Sequence, residues 1–222
     1  MSILVVLNPT AGRGKCARLR NRIERGLRDA GLKYELVQTT GPGNALGLAR
    51  DAAAHGVTKL ICAGGDGTVH EAANGLLQAP LADDGATRVA LGLIPAGTGD
   101  DFAKMINVFK LPPEAAAARM ARAEETLFDV GKADGEYFDN ILGMGFDAEA
   151  VRHALRIRRL KGVAVYLAAI YRTFVTFRAP VLEIESDEHR EIGPMMMLGA
   201  GIGVCEGGGF YITPEGDPTD GL

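Results

Sequence analysis

The chain has 222 residues, 47% of them hydrophobic, which is enough to bury a core in one large domain or two unequal ones. A formal net charge of -4 excludes a general nucleic-acid binder, whose surface would carry a broad basic excess. Cys16, Cys62 and Cys205 form no CxxC pair, so neither a disulfide framework nor a zinc knuckle is indicated, and a reducing cytoplasm is the expected compartment.

Ile3 to Leu7 reads as a first strand. The run is too short for a signal-peptide core and has no basic residues before it. No stretch reaches the roughly 18 apolar residues of a membrane span. Asn8-Pro9-Thr10-Ala11-Gly12-Arg13-Gly14-Lys15 is a loop by its Pro and Gly content, and a basic helix follows from about Ala17 to Ala30, closed by Gly31. A Walker A loop would need Gly at Pro9 and Ser or Thr at Cys16, so that motif is rejected. Tyr34 to Gln38 is a second strand, then Thr39-Thr40-Gly41-Pro42-Gly43 leads into a helix from Asn44 to His55.

The centre of the sequence is Lys59-Leu60-Ile61-Cys62-Ala63, then Gly64-Gly65-Asp66-Gly67-Thr68, then Val69-His70-Glu71-Ala72-Ala73-Asn74-Gly75-Leu76. The short apolar run is what a strand covered on both faces requires, and the last eight residues return apolar side chains at helical spacing. The glycines form the strand-to-helix corner between them. Such a corner brings backbone N–H groups close to a ligand and favours an anion, phosphate above all. An aspartate there faces phosphate productively when a divalent metal or a transferable proton lies between, so Asp66 points to phosphoryl transfer. The bland alternative is a tight turn in which Asp66 caps its helix. His70-Glu71 with Asn74 lacks the second histidine of a zinc protease helix.

Leu81 to Thr87 reads as a polar loop, Arg88 to Ile94 as an apolar strand, and Pro95-Ala96-Gly97-Thr98-Gly99-Asp100-Asp101-Phe102-Ala103 as a second glycine corner, with Asp100 or Asp101 capping a helix that ends near Asn107. Four strand-then-helix units predict a parallel sheet with ligands at the carboxyl ends of its strands, where all three glycine loops lie. After an alanine-rich helix, Glu114 to Arg122, the pattern changes near residue 130 to paired strands, Leu127 to Lys132 and Tyr137 to Met144, turning at Ala133-Asp134-Gly135. Between Glu149 and Glu183 there is no acidic residue, while Leu160, Val163, Leu167, Tyr171 and Phe174 recur at helical spacing, so an amphipathic helix broken at Gly162 is expected. Its seven basic residues suit either an anionic membrane surface or solvated packing on the second domain. Val181 to Glu185 and Met195 to Gly199 read as strands. Gly199, Gly201 and Gly203 imitate a dinucleotide fingerprint, but Gly207-Gly208-Gly209 follows where a helix should begin.

The string GGDGT with Glu71 and Asn74-Gly75-Leu76, together with Asn8-Pro9 through Gly12, Pro95 through Ala103, and Asn140 through Ala148, resembles the diacylglycerol kinase and sphingosine kinase catalytic family, including bacterial lipid kinases. The resemblance implies an α/β fold: a parallel-sheet nucleotide-binding domain with helices on both faces over residues 1–130, followed by part of a β-rich lipid-binding domain over 131–222. It implies ATP and Mg2+ as cofactors. Asn8, Pro9, Thr40, Gly64, Gly65, Asp66, Gly67, Thr68, Val69, His70, Gly97 and Thr98 would bind the nucleotide, and Asp66 and Asp101 would be catalytic. Asp100 stands where the family has asparagine. The turn from Pro214 to Gly221 resembles a structural magnesium site, mapping to Asp217, Asp220 and Leu222, with Thr219 in place of the family's first aspartate.

By this resemblance the substrate is a diacylglycerol-like lipid and the protein is cytoplasmic, with peripheral contact at the inner face of the membrane and homodimerisation as further expectations. In the resembled family the chain continues beyond the counterpart of residue 222 into a segment carrying an acidic catalytic residue, so the expectation is a truncated product, a site completed by another molecule, or a defective site. The alternatives are an NAD kinase-like enzyme with a soluble acceptor, and a non-catalytic nucleotide- or lipid-binding module.

Overall fold

The computed structural model describes residues 2–80, 89–157, 163–187, 189–207 and 210–221. The expected polar loop 81–87, the expected helix break at Gly162 with Arg158, Arg159, Leu160 and Lys161, the glycines at 208 and 209, and Leu222 lie outside these residues. Two compact units emerge: Met1–Asn140 with Ile202–Leu222, and Ile141–Gly201. The expected boundary at 130/131 falls ten residues before the chain leaves the first unit, and the first unit also takes up the chain after Gly201.

In the first unit, β1 (Ile3–Leu7), α1 (Ala11–Asp29), β2 (Tyr34–Gln38), α2 (Asn44–Ala54), β3 (Lys59–Gly64), α3 (Asp66–Leu77), β4 (Ala90–Pro95), α4 (Asp101–Met105) and α5 (Pro113–Arg122) follow in order. The four strands form one parallel sheet in the order β2-β1-β3-β4. Val5, Val6 and Leu7 of β1 and Leu60, Ile61, Cys62 and Ala63 of β3 are fully buried, which is why these two central strands read as unbroken apolar runs. The step from β1 to β2 runs opposite to the steps from β2 to β3 and β3 to β4. Right-handed crossovers therefore place α1 on one face and α2 and α3 on the other. The packing agrees: α1 lies against α5, and α2 against α3.

The loop expected over 8–15 is partly helical in outline, but Gly12, Arg13 and Gly14 have φ of 57°, 56° and 80°, so regular helix begins only after them. Beyond α5, β5 (Gly131–Ala133) and β6 (Glu136–Phe138) form the expected hairpin, turning through Asp134 and Gly135. The single strand expected over 137–144 is in fact two, because β7 (Ile141–Gly145) leaves its neighbour at Asp139-Asn140 and belongs to the second unit.

The second unit holds β7, α6 (Phe146–Arg156), α7 (Val163–Thr176), β8 (Val181–Glu185), β9 (Arg190–Pro194) and β10 (Met197–Gly201). β7 pairs antiparallel with β10, and β8 with β9. After it the chain returns to the first unit through β11 (Cys205–Glu206) and β12 (Phe210–Tyr211). Among the described residues no helix is long and apolar enough to cross a membrane.

Candidate functional site

The sheet changes direction between β1 and β3, and a crevice between the loops that leave such neighbouring strands is where open parallel sheets bind ligands. Both loops are tied together there. The Asn8 N–H donates to Ala63 O at 2.9 Å, and Asn8 Nδ2 donates to Thr68 Oγ1 at 3.0 Å. Asn8 Oδ1 in turn accepts from the N–H and hydroxyl of Thr10, holding the Pro9 turn.

The loop after β4 closes on the same rim. A Cβ on Gly65 would lie 2.8 Å from Gly97 Cα, and one on Gly97 would lie 2.6 Å from Gly65 Cα. The two corners therefore touch backbone to backbone, a distance no other residue type permits. Gly12, in the left-handed region, is similarly closed in by the carbonyl of Ala96. Three glycine loops, following β1, β3 and β4, thus converge.

Helix α3 organises this rim through acceptors that reach other elements. Asp66 Oδ1 accepts the N–H of Phe102 in the first turn of α4 at 2.9 Å. Glu71 accepts the N–H groups of Gly43 and Ala45 at the start of α2, at 2.9 and 3.1 Å. Asn74 Oδ1 accepts the N–H of Tyr137, and its Nδ2 donates to the Tyr137 carbonyl, at 2.9 and 2.8 Å, so its carboxamide pairs with β6 as a neighbouring strand would. The expected local cap of α4 is corrected here. Asp100 occupies the N-cap position with φ of 51° but makes no side-chain cap bond; its Oδ1 accepts the Gly97 N–H at 2.9 Å, and Asp66 caps the helix from the other corner. Nor does the side chain of Asp66 simply cap its own helix, since the N-cap there is Gly65.

These carboxylates crowd one another. Burial pushes Asp66 above the usual carboxylate range, the Phe102 N–H works against this, and the charge of Asp101 adds to it. Asp100 is raised by burial and by Asp66, with Lys15 opposing. Asp101 is buried and ion-paired with Lys104; the Cys205 thiol lies 3.8 Å from its Oδ1 and 3.9 Å from Lys104 Nζ.

A further acid was not found by sequence reasoning. Asp139 is raised by burial and by Asp66, against the favourable charge of His70, and its buried Oδ2 has no hydrogen-bond partner among the described residues. The only signal for it was an aspartate as the third residue of the expected strand Tyr137 to Met144. Asn74 and Glu71 were read only as part of a resemblance, with no role.

Of the predicted nucleotide residues, Asn8, Pro9, Gly64, Gly65, Gly67, Thr68, Val69, His70, Gly97 and Thr98 all lie on these three loops or the first turn of α3. Thr68 and Val69 are buried, and Thr68 is already bonded to Asn8. Thr40 stands at the carboxyl end of β2, exposed, with its N–H donated to Asn44 Oδ1. Asp217 and Asp220 sit apart in the turn after β12. Asp217 Oδ1 accepts from the hydroxyl and N–H of Thr219, which hold its carboxyl below the usual range, and Asp129 Oδ2 accepts the Gly221 N–H. Leu222 is outside the described residues. Among the described residues no group of three or more His, Cys, Asp or Glu is arranged to hold a metal ion.

Comparison with known proteins places these features. Residues 2–133 match the diacylglycerol kinase catalytic domain, and residues 140–222 match the YegS C-terminal NAD kinase beta sandwich-like domain. A Pseudomonas putida protein named as a probable YegS-like lipid kinase is 31% identical over 88% of this chain, which spans 64% of that relative's length. The Bacillus subtilis diacylglycerol kinase is 29% identical over 98% of this chain and 70% of its own. The crystal structure of a diacylglycerol kinase from Bacillus anthracis superposes with a TM-score of 0.75 at 28% identity, over 99% of this chain and 70% of that one. With the parallel sheet, the glycine corners and the β-containing second unit all matched, the chain belongs to the diacylglycerol kinase catalytic domain family.

Proposed function

We propose that the chain acts in an ATP-dependent lipid kinase, transferring the γ-phosphoryl group to a hydroxyl of diacylglycerol or a related lipid. The observation that carries this reading is the place of Asp66: a part-buried carboxylate held by the Phe102 N–H where two glycine corners meet. The names of the relatives support a lipid acceptor over a soluble one. The nucleotide phosphates would rest against the N–H groups of the Asn8 loop and of Gly64 through His70, with Gly97, Thr98 and Thr40 alongside. Asp66 accepts the proton of the attacking hydroxyl, and a pKa above the ordinary carboxylate range makes it a better base for that task. Asp101, through Lys104, positions the α4 end of the network.

The rim where the Gly65 and Gly97 loops meet, with Asp66, Asp100 and Asp101 beside it, fits a polyphosphate accompanied by a divalent cation, which would offset the repulsion between carboxylate and phosphate. Magnesium bound with the nucleotide would neutralise the phosphate oxygens during transfer. Asp217, Asp220 and Leu222 are the residues that would hold a second, structural magnesium.

The test is transfer of labelled phosphate from ATP to diacylglycerol, ceramide or sphingosine in mixed micelles. Transfer to a lipid that Asp66→Asn removes supports the assignment. Undiminished transfer by that variant refutes the role of Asp66, and transfer to NAD instead of lipid refutes the acceptor class.

A further inference from the structure

Asp66, His70 and Asn74 lie four residues apart on α3 and share one stripe of that helix. The two at the ends are fixed. Asp66 Oδ1 accepts the Phe102 N–H, and the Asn74 carboxamide makes two bonds to the backbone of Tyr137 in β6. Between them the half-buried imidazole of His70 makes no hydrogen bond among the described residues.

The strand side faces it with an acid. Asp139 comes two residues after Tyr137, just past the end of β6, and two residues of strand cover about 6–7 Å. One turn of α3 back from Asn74 to His70 covers about 6 Å. Equal steps along the two elements therefore bring Asp139 level with His70. The electrostatics agree: burial pushes the Asp139 carboxyl up, the charge of His70 opposes this, and the charge of Asp66, one turn further along the stripe, adds to it. Asp139 Oδ2 is fully enclosed and accepts from no donor among the described residues. Leaving a buried carboxylate oxygen without a donor is costly, and the ring of His70 can supply one.

We propose that Asp139 is a positioning residue for His70: in the nucleotide complex its Oδ2 accepts one ring N–H, and the second ring N–H points at the nucleotide phosphates. This deepens the kinase reading and rests on the nucleotide site of that reading. The imidazolium serves both partners, because a neutral ring has a single N–H and would turn a lone pair toward either the carboxylate or the phosphate. Of the other acids on this part of α3, Asp66 is held by the Phe102 N–H and Glu71 by the N–H groups of Gly43 and Ala45. Asp139 thus acts against the sign of its own charge. A bare carboxylate near a triphosphate weakens binding, whereas one that holds a cationic ring in front of it strengthens binding.

The test is calorimetric titration of the whole chain with magnesium ATP near neutral pH, in two buffers of different ionisation enthalpy, which reads affinity and proton uptake together. The native protein, Asp139→Asn, His70→Gln and the double variant are compared after thermal melts confirm that each is folded. The native chain is expected to take up protons on binding, and both single variants to take up fewer. Asp139→Asn is expected to weaken ATP binding several-fold, on the scale of one charge-assisted hydrogen bond, and to cost nothing further in the His70→Gln background. Tighter or unchanged binding by Asp139→Asn overturns the proposal, and so does equal weakening in both backgrounds. Nitrogen NMR of the native chain with magnesium ATP needs no variant: both ring nitrogens of His70 are expected to be protonated, and a neutral ring overturns the proposal. A native chain that binds no ATP overturns it together with the kinase reading. ATP binding without phosphoryl transfer to lipid overturns the kinase reading alone, and the titrations still decide the pair.

Discussion

Asp66 and Phe102 stand thirty-six residues apart, yet the carboxylate of the first accepts the backbone N–H of the second at 2.9 Å, so one glycine corner terminates the helix that grows from the other. A single side chain thereby ties the proposed base to the geometry of the loop beside it. Asp66→Asn keeps an acceptor oxygen in the same place, so its expected cost in stability is small, under about 1 kcal/mol, while phosphoryl transfer falls by roughly two orders of magnitude or more. Urea unfolding beside the transfer assay checks both halves.

The raised pKa of Asp66 gives the transfer rate a pH signature. A base works when deprotonated, so the acidic limb of the kcat/KM profile is expected above the ordinary carboxylate range. Burial is the larger cause and the Asp101 charge a smaller one, so Asp101→Asn is expected to move that limb toward lower pH without restoring the ordinary value. A limb that stays in place would separate Asp66 from the chemistry.

Asp100→Asn is expected to help nucleotide binding. The amide oxygen can still accept from Gly97, while a buried charge beside Asp66 and Asp101 is removed. A several-fold tighter ATP dissociation constant is expected, of the order of one charge interaction in a partly buried setting. Calorimetric titration with ATP measures it.

Asn74→Ala removes both bonds to the Tyr137 backbone and leaves that N–H and carbonyl without their partner. A loss of about 2–4 kcal/mol in unfolding free energy is expected from two broken bonds and the buried groups left behind. Chemical denaturation checks this, and a loss below the effect of a surface substitution would show that β6 holds its place without the clamp.

Glu114 bonds Arg22 and Arg25 across the α1–α5 contact, and those two arginines hold its carboxyl down at about 2 from its ordinary 4.5. The folded value lies below the unfolded one. The stability from this clamp is therefore fully present above pH 4.5 and is lost as pH falls toward 2. Glu114→Gln is expected to flatten that part of the stability curve and leave the neutral region nearly unchanged, which thermal melts across the window would show.

The parallel sheet and its three glycine loops were legible because a strand covered on both faces must be apolar throughout and a corner needs its glycines. Leu60 to Ala63 followed by Gly64-Gly65 carries both signals in adjacent residues. What the sequence hid were bonds between distant acceptors and donors. Glu71 with Gly43 and Ala45, Asn74 with Tyr137, and Asp66 with Phe102 leave no periodic trace, since each polar residue also reads as an exposed helix position. The cap of α4 was misjudged for that reason: a local rule favoured Asp100 or Asp101, and a tertiary bond from Asp66 prevailed. β9 was missed because Arg190-Glu191-Ile192-Gly193-Pro194 shows no alternation and ends in residues that disfavour a strand.

Asn140 is the last residue of the first unit before the chain departs, and its carbonyl accepts the N–H groups of Ile202 and Gly203, the first residues on its return, at 2.7 and 3.2 Å. Outgoing and incoming backbone are therefore stapled side by side, and the second unit begins and ends at that staple. An insertion or deletion within residues 141–201 therefore leaves the spacing of those two ends unchanged.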